Sequence, residues 1–205
     1  MTKAQFTDHF LKRFEGGFSE RNASEIQNQN LESLLVNVLR DVIVYDSKKS
    51  AFQSETYDYL KIRKKCEREQ MAFRAAYLFE TLYFRDKSNI QFFKDDFAQL
   101  LSKVTNESSK RHFGKILTDV LKNNLLIFSK EECEILAETV ATWAVAPQTR
   151  VAVQIWAFEI LVLLRKNANI PEETIGCLFE IFAQDSSPAM KCRLKRWKKI
   201  DVLSY

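Results

Sequence analysis

Apolar residues recur along most of the chain at intervals of three and four positions, separated by charged and polar residues. Three segments show the pattern most clearly, and they begin at Leu31, Phe113 and Cys133. Such intervals place successive side chains on one face of an α-helix, because a helix turns once in about 3.6 residues. The pattern therefore predicts amphipathic helices whose apolar faces build a common core.

Several helix beginnings are marked by residues that favour a helix N-terminus. Ser129 stands three positions before Glu132, the spacing of a capping box, in which each side chain bonds the backbone N–H of the other residue. Pro171 is predicted in the first turn of a later helix. Glu172 and Glu173 follow it, where carboxylates interact favourably with the positive end of the helix dipole.

The predicted helices alternate in a repeated order. Longer helices are centred near Leu78, Leu117 and Leu161, at intervals of roughly 40 residues. Second helices are predicted in the segments NIQFFKDDFAQLLSKV (89–104), SKEECEILAETVATWA (129–144) and PEETIGCLFEIFAQ (171–184). Residues from about 69 to 200 therefore resemble HEAT and armadillo repeats, in which pairs of helices follow one another along the chain.

The resemblance implies an all-α fold, a right-handed superhelix of HEAT-like helical hairpins. We interpret residues 69–205 as the repeats and residues 1–68 as an N-terminal helical cap, the whole forming one continuous domain. Such arrays present extended concave surfaces and no ready water-excluding pocket, so the resemblance implies binding rather than catalysis.

The scarcity of glycine and proline favours helices and excludes two classes of nucleotide site. The 205 residues include four glycines and three prolines, whereas glycine and proline together make up roughly 12% of an average protein. Gly16 and Gly17 are the only neighbouring glycines, and no Lys-Ser/Thr pair follows them. P-loop and Rossmann sites, which need clustered glycines close to phosphate, are thereby excluded.

Cysteine and histidine are too widely spaced to predict a zinc site. They are Cys66, Cys133, Cys177, Cys192, His9 and His112. We interpret the cysteines as buried free thiols in a reducing compartment, and we expect no metal and no cofactor. The chain shows no apolar run of membrane-spanning length and no apolar signal segment, so we expect a cytoplasmic protein that does not engage a membrane.

A final helix is predicted in the segment QDSSPAMKCRLKRWKKI, residues 184–200. Ser186 or Ser187 is expected to cap this helix, with Pro188 in its first turn. Its apolar stripe is predicted to consist of Met190, Leu194 and Trp197.

Between residues 191 and 199 this segment carries six cationic residues and no acidic residue, and these six are the candidate binding residues: Lys191, Arg193, Lys195, Arg196, Lys198 and Lys199. Such a face neutralises nucleic-acid phosphates or contacts an acidic protein. Alternatively, it is a solvated surface that keeps the end of the array soluble. A second basic run, KIRKK at 61–65, adds to the same surface if the superhelix brings the two together.

The stretch SSPAMK at 186–191 also resembles the serine-rich active-site loop of the adenylosuccinate lyase and fumarase superfamily, S-S-x-M-P-x-K-x-N. The resemblance implies a catalytic serine and lyase activity. The order departs from that pattern, because Pro188 precedes Met190 and Arg193 stands where asparagine is expected. The chain is also shorter than those lyases, whose active sites form between long helices of several subunits.

The remaining candidates for chemistry have structural interpretations. His112 shares one predicted helix face with Ser108 and Asp119, but residues stacked along a helix seldom form a nucleophile–base pair, so we place His112 beside a helix interface. The acid pairs Asp95–Asp96, Glu131–Glu132 and Glu172–Glu173 are interpreted as helix first turns or solvated faces. They make poor pairs of catalytic acids, because adjacent residues of a helix point in different directions. Three aromatic residues could stack on nucleic-acid bases: Trp143, Trp156 and Trp197. Trp143 and Trp156 lie on predicted apolar stripes, so we expect them to pack in the core.

These observations predict a non-enzymatic helical-repeat scaffold that binds a protein partner through a concave groove or through the basic C-terminal helix. The alternative is a nucleic-acid-binding protein related to HEAT-like DNA repair proteins. A lyase of the adenylosuccinate type is a more distant alternative. The sequence leaves the oligomeric state open.

Overall fold

The computed structural model of the chain describes residues 1–11, 18–47, 60–61, 64–184 and 187–200, and at 45–47 and 198–200 it describes the backbone only. Every regular element in these ranges is helical, which confirms the predicted all-α class. The helices are α1 (Lys3–Phe6) with a π-helical turn (Thr7–Leu11), α2 (Phe18–Asn28), α3 (Glu32–Ser47), α4 (Lys65–Arg85), a 3₁₀ helix (Lys87–Phe93), α5 (Phe97–Leu101), α6 (Glu107–Lys122), α7 (Lys130–Val145), α8 (Val151–Leu164), α9 (Glu172–Ala183) and α10 (Pro188–Ile200).

The chain divides into two compact units, Met1–Phe113 and Gly114–Tyr205, and the division falls inside α6. In the first unit, α2 and α3 pack against α4. In the second unit, α7, α9 and α10 pack against α8. The predicted cap over residues 1–68 stays a prediction.

Phenylalanine rings build much of the core of the first unit. Phe79 of α4 meets Phe93 of the 3₁₀ helix edge-on, with 4.7 Å between ring centroids. Phe97 of α5 meets Phe113 of α6 in the same way at 6.2 Å. All four are at most 1% exposed. Because burial of such a ring contributes about 1.5–3 kcal/mol, these contacts hold the short helices against α4 and α6.

The single helix predicted over residues 89–104 is wrong, because the 3₁₀ helix and α5 are separate there. Between them, the guanidinium of Arg40 donates to the backbone carbonyl of Phe92 and to both carboxylate oxygens of Asp96, at 2.7 and 2.9 Å. The backbone carbonyl of Phe92 thus receives a hydrogen bond from Arg40 and does not need a backbone N–H donor from a continuing helix. Asp96 lies at the N-cap of α5, which agrees with the predicted helix beginning, and it is also paired with Arg40.

The predicted capping box at the start of α7 is confirmed. The hydroxyl of Ser129 accepts the N–H of Glu132 at 3.2 Å, and the carboxylate of Glu132 accepts the N–H of Ser129 at 2.8 Å. Pro171 lies one position earlier than predicted, at the N-cap, because α9 begins at Glu172.

Asparagine occupies three positions after helices where many proteins use glycine. Asn30, Asn124 and Asn169 have φ angles of 52°, 50° and 50°, in the left-handed region. After Asn30 and Asn124, the next residue donates its N–H to a carbonyl of the preceding helix, at 2.9 and 3.1 Å. After Asn169, which ends the turn that follows α8, Ile170 donates to the carbonyl of Arg165 at 2.8 Å. Since asparagine tolerates this backbone conformation, the chain forms sharp helix ends with few glycines.

The central helix of the second unit is α8, and its sequence VAVQIWAFEILVLL contains one charged residue, Glu159. A helix that is apolar nearly all round has neighbours on several sides. Gly114 of α6 lies so close that an added Cβ would stand 2.9 Å from the Cβ of Trp156. The glycine therefore permits the close approach of α6 and α8 within this unit.

Candidate functional site

The basic C-terminal helix forms as predicted and begins at Pro188. The hydroxyl of Ser187 accepts the N–H of Met190 at 3.3 Å, so Ser187 acts as the cap. Ser186 lies outside the described residues. The predicted apolar stripe is confirmed, because all three of its members are at most 8% exposed: Met190, Leu194 and Trp197.

The candidate binding residues do not share one environment. Lys191, Lys195 and Arg196 are exposed, and their side chains form no ion pair with another described residue. We refer to these three as the α10 basic row. Arg193 faces the protein instead, with its side chain 20% exposed. Lys198 and Lys199 belong to α10, but their side chains lie outside the described residues.

Arg193 is held by Glu159, the single charged residue of α8. Its guanidinium nitrogen lies 2.6 Å from a carboxylate oxygen of Glu159, and its guanidinium carbon lies 5.2 Å from the ring centroid of Trp156. An ion pair and a cation–π contact therefore fix this side chain. Arg193 belongs to the packing of α10 on α8, whereas the basic row points outward.

Glu159 joins three helices through one carboxylate. Besides Arg193, it accepts the indole N–H of Trp197 at 3.3 Å and lies 3.1 Å from the ammonium of Lys122. The residue is 8% exposed, and a buried carboxylate requires such partners because it has lost its hydration. We refer to Glu159, Lys122, Arg193 and Trp197 as the Glu159 cluster, which fixes the direction in which α10 presents its basic row.

Glu159 was not predicted as a functional residue from the sequence, although a signal was present. It is the only charge within the apolar helix α8, and a lone charge in such a helix is expected to be paired. The identity of its partners, far along the chain, could not be read from that signal.

His112 lies in the first unit and forms a buried contact there. It is 4% exposed, and its Nδ1 is hydrogen-bonded to the carboxylate of Glu80. Its ring stacks on Tyr77 at 5.1 Å between centroids and tilts against Phe73 at 5.6 Å. Its Nε2 is buried and has no hydrogen-bond partner among the described residues. The predicted place beside a helix interface is confirmed, and the carboxylate beside this imidazole comes from α4.

The tryptophans are held within the second unit. Trp143 and Trp197 are each 3% exposed, and the half-buried Trp156 is covered by Arg193. The predicted core packing of Trp143 is therefore confirmed, and neither buried ring presents a face to a nucleic-acid base.

The thiols are free, as expected, but only one of them is buried. Cys133 is buried, and this burial raises the pKa of its thiol. The expectation of burial is wrong for Cys66, Cys177 and Cys192, which are exposed. Each of these three occupies the outward side of its helix, which an amphipathic pattern leaves open to solvent.

The second basic run is exposed where it is described. Lys61, Lys64 and Lys65 face solvent, while Ile62 and Arg63 lie outside the described residues. The run belongs to the first unit and α10 to the second, so its predicted addition to the α10 surface stays a prediction.

Comparison of the chain with protein-family models, curated proteins and solved structures gave no match. Of the helices described, none combines the length and apolar character needed to cross a bilayer. Among the described residues, no three His, Cys, Asp or Glu side chains are grouped to hold a metal ion.

Proposed function

We propose that this chain is a non-enzymatic protein-binding module that contacts an acidic protein surface through the α10 basic row. The observation that carries the proposal is the contrast within α10. Arg193 is bound to Glu159, while Lys191, Lys195 and Arg196 are exposed and without described ion-pair partners. A buried cluster thus holds a cationic row outward on a fixed helix, a preorganised arrangement that limits the entropy lost on binding.

We further propose that the paired helices are HEAT-like repeats and form a right-handed superhelix. Two features support this proposal: the recurrence of helices at intervals of roughly 40 residues, and the packing of α7, α9 and α10 against α8. Such repeats provide extended surfaces that suit a scaffold.

Nucleic acid is the second candidate partner, and the same basic row favours it. Phosphate binding needs only exposed cations, and its affinity falls steeply with salt because counterions are released on binding. Base stacking has less support, because Trp143 and Trp197 are buried. We therefore place an acidic protein surface before nucleic acid.

A lyase of the adenylosuccinate type is the third candidate, on the SSPAMK resemblance alone. In the described residues, the hydroxyl of Ser187 caps α10 by accepting the N–H of Met190. This capping hydrogen bond supports a structural role for Ser187, so we rank lyase activity last among the three candidates.

The test is capture of partners by the tagged chain from its own cells, with half of the eluate treated with nuclease. We expect a stoichiometric protein that survives nuclease and is lost with the variant K191A/K195A/R196A. The matched control K64A/K94A/K166A removes three exposed cations elsewhere and should retain the partner.

Three outcomes would overturn the proposal. Loss of every protein after nuclease would favour nucleic acid, and release of fumarate from adenylosuccinate by the purified chain would favour the lyase. Retention of the partner by the α10 variant would show that the binding surface lies elsewhere.

A further inference from the structure

One face of α7 carries a row of exposed acidic side chains. Glu131, Glu134 and Glu138 are exposed and recur at intervals of three and four residues, so they share one side of the helix. We refer to them as the α7 acidic row. Glu134 has a loose pair with Lys130 at 3.9 Å, and both partners are solvent-exposed. Such a pair contributes little and leaves the carboxylate open to another cation.

The α7 acidic row and the α10 basic row lie in the same unit and have opposite charge. Both helices pack against α8, yet no ion pair joins the two rows among the described residues. Each row is exposed, so each is available to a different molecule. The net charge of the chain is only +4, so the two rows are patches of opposite charge on a molecule of modest net charge.

The two rows also match in spacing. Lys191 and Lys195 are four positions apart, as are Glu134 and Glu138. At about 1.5 Å of rise per residue, each pair is separated by about 6 Å along its helix axis. Two helices laid side by side, in either direction, therefore place both lysines opposite both glutamates.

We propose that the acidic partner of α10 is a second copy of this chain, which contributes its α7 acidic row. The inference rests on the proposed function, since it requires α10 to bind protein, and it names the partner. Charge complementarity between the two rows carries it. The contact consists of exposed ion pairs, so the association is weak and is screened by salt.

The test is sedimentation equilibrium of the purified chain over a range of protein concentrations, at low and at high salt. We expect the weight-average mass to rise above the 24.0 kDa of one chain at low salt and to return to it at high salt. A mass that stays at one chain in low salt, at every concentration, overturns the inference.

Charge reversal makes the test specific. The variant K191E/K195E makes both rows predominantly acidic, and E134K/E138K makes both predominantly basic, so each alone should associate at least about tenfold more weakly than the wild type. An equimolar mixture restores complementarity and should regain the wild-type mass. Failure of the mixture to associate, with both variants folded by circular dichroism, would contradict the inference.

A chain carrying all four reversals provides a second readout. It has both rows exchanged, so it should associate with itself as the wild type does but not with the wild type. If either double variant fails to fold, the salt dependence of the wild-type mass still tests the inference.

The inference and the proposed function fail in different ways. If the wild-type chain is monomeric and captures a foreign protein through α10, the inference of a second copy is overturned. The proposal that α10 binds protein is then supported. If neither the self-association of the chain nor its capture of other proteins changes when the α10 row is reversed, both proposals are overturned.

Discussion

Glu159 accepts the indole N–H of Trp197 at 3.3 Å, across 38 positions of the chain. The glutamate lies on α8 and the tryptophan on α10. Arg193 reaches the same carboxylate oxygen at 2.6 Å, one turn before Trp197. The relationship explains why only part of the basic charge of α10 is available for binding. Among the described side chains, Arg193 holds the helix on α8, whereas Lys191, Lys195 and Arg196 face solvent.

Replacement of Glu159 by glutamine should destabilise the chain. The substitution keeps the volume but removes the charge that balances Arg193 and Lys122. Loss of one partner of a fully buried pair costs about 3–5 kcal/mol, and Lys122 is partly exposed, so we expect about 2–4 kcal/mol in the free energy of unfolding. Urea denaturation measures it. Glu138→Gln on the exposed face of α7 is the matched control and should change stability by less than about 0.5 kcal/mol.

The two described glycines on helices, Gly114 and Gly176, should respond oppositely to alanine. A Cβ at Gly114 would meet Trp156 at 2.9 Å, so Gly114→Ala should cost about 1–3 kcal/mol of unfolding free energy through overpacking. At Gly176 nothing lies within 4 Å of the added atom, so Gly176→Ala should stabilise by about 0.5–1 kcal/mol. Thermal and urea unfolding of the two variants compare them directly. Equal effects would refute the close approach of α6 to α8.

A pH effect is expected at the start of α7 from Glu131, which lies between the two residues of the capping box. The pKa of Glu131 lies below its ordinary value of 4.5, because its carboxylate accepts hydrogen bonds from its own backbone N–H and from Ser129. A depressed pKa means that the stabilisation is present above the unfolded-state pKa and is lost as the pH falls through the folded-state value. NMR titration of Glu131 should show the low pKa, and Ser129→Ala should raise it. An unchanged pKa in that variant would contradict this explanation.

The thiols should differ in reactivity. Cys66, Cys177 and Cys192 are exposed, while Cys133 is buried with a raised pKa. Because the thiolate is the reactive form, three thiols should react rapidly with Ellman's reagent in the native protein, and the fourth should react only after unfolding. The variant C133S should leave the rapid phase unchanged. Rapid reaction of all four would show that Cys133 is accessible.

Local pattern was sufficient to predict the helices that are amphipathic over their whole length. The stripe of Met190, Leu194 and Trp197 and the capping box at Ser129 depend on residues within one or two turns, so both could be read from the chain. The break between the 3₁₀ helix and α5 could not be, because it depends on Arg40, 56 positions before Asp96. The apolar residues of the segment 89–104 recur at helical intervals across this break, so the pattern alone predicts one continuous helix.

The candidate site was predictable in composition but not in orientation. All six cations of α10 look alike in the sequence, and a helical projection does not say which flank of the apolar stripe meets a neighbouring carboxylate. That flank is set by Glu159, 34 positions before Arg193. A lone charge in an apolar helix signals that a partner exists, and only the tertiary packing identifies the partner.

Removal of Arg193 and removal of the basic row should therefore have separable effects. Arg193→Ala leaves Glu159 with Lys122 and Trp197 alone, so we expect a loss of about 1–3 kcal/mol in the free energy of unfolding. The variant K191A/K195A/R196A removes exposed charges and should unfold within about 0.5 kcal/mol of the wild type. This triple variant should lose partner binding but not stability.

The free energy of unfolding and the partner binding are measured on the same samples, by urea denaturation and by partner capture under conditions where both variants are folded. Binding that falls with Arg193→Ala at full folding, as much as with the triple variant, would place Arg193 in the contact surface and contradict its role in packing.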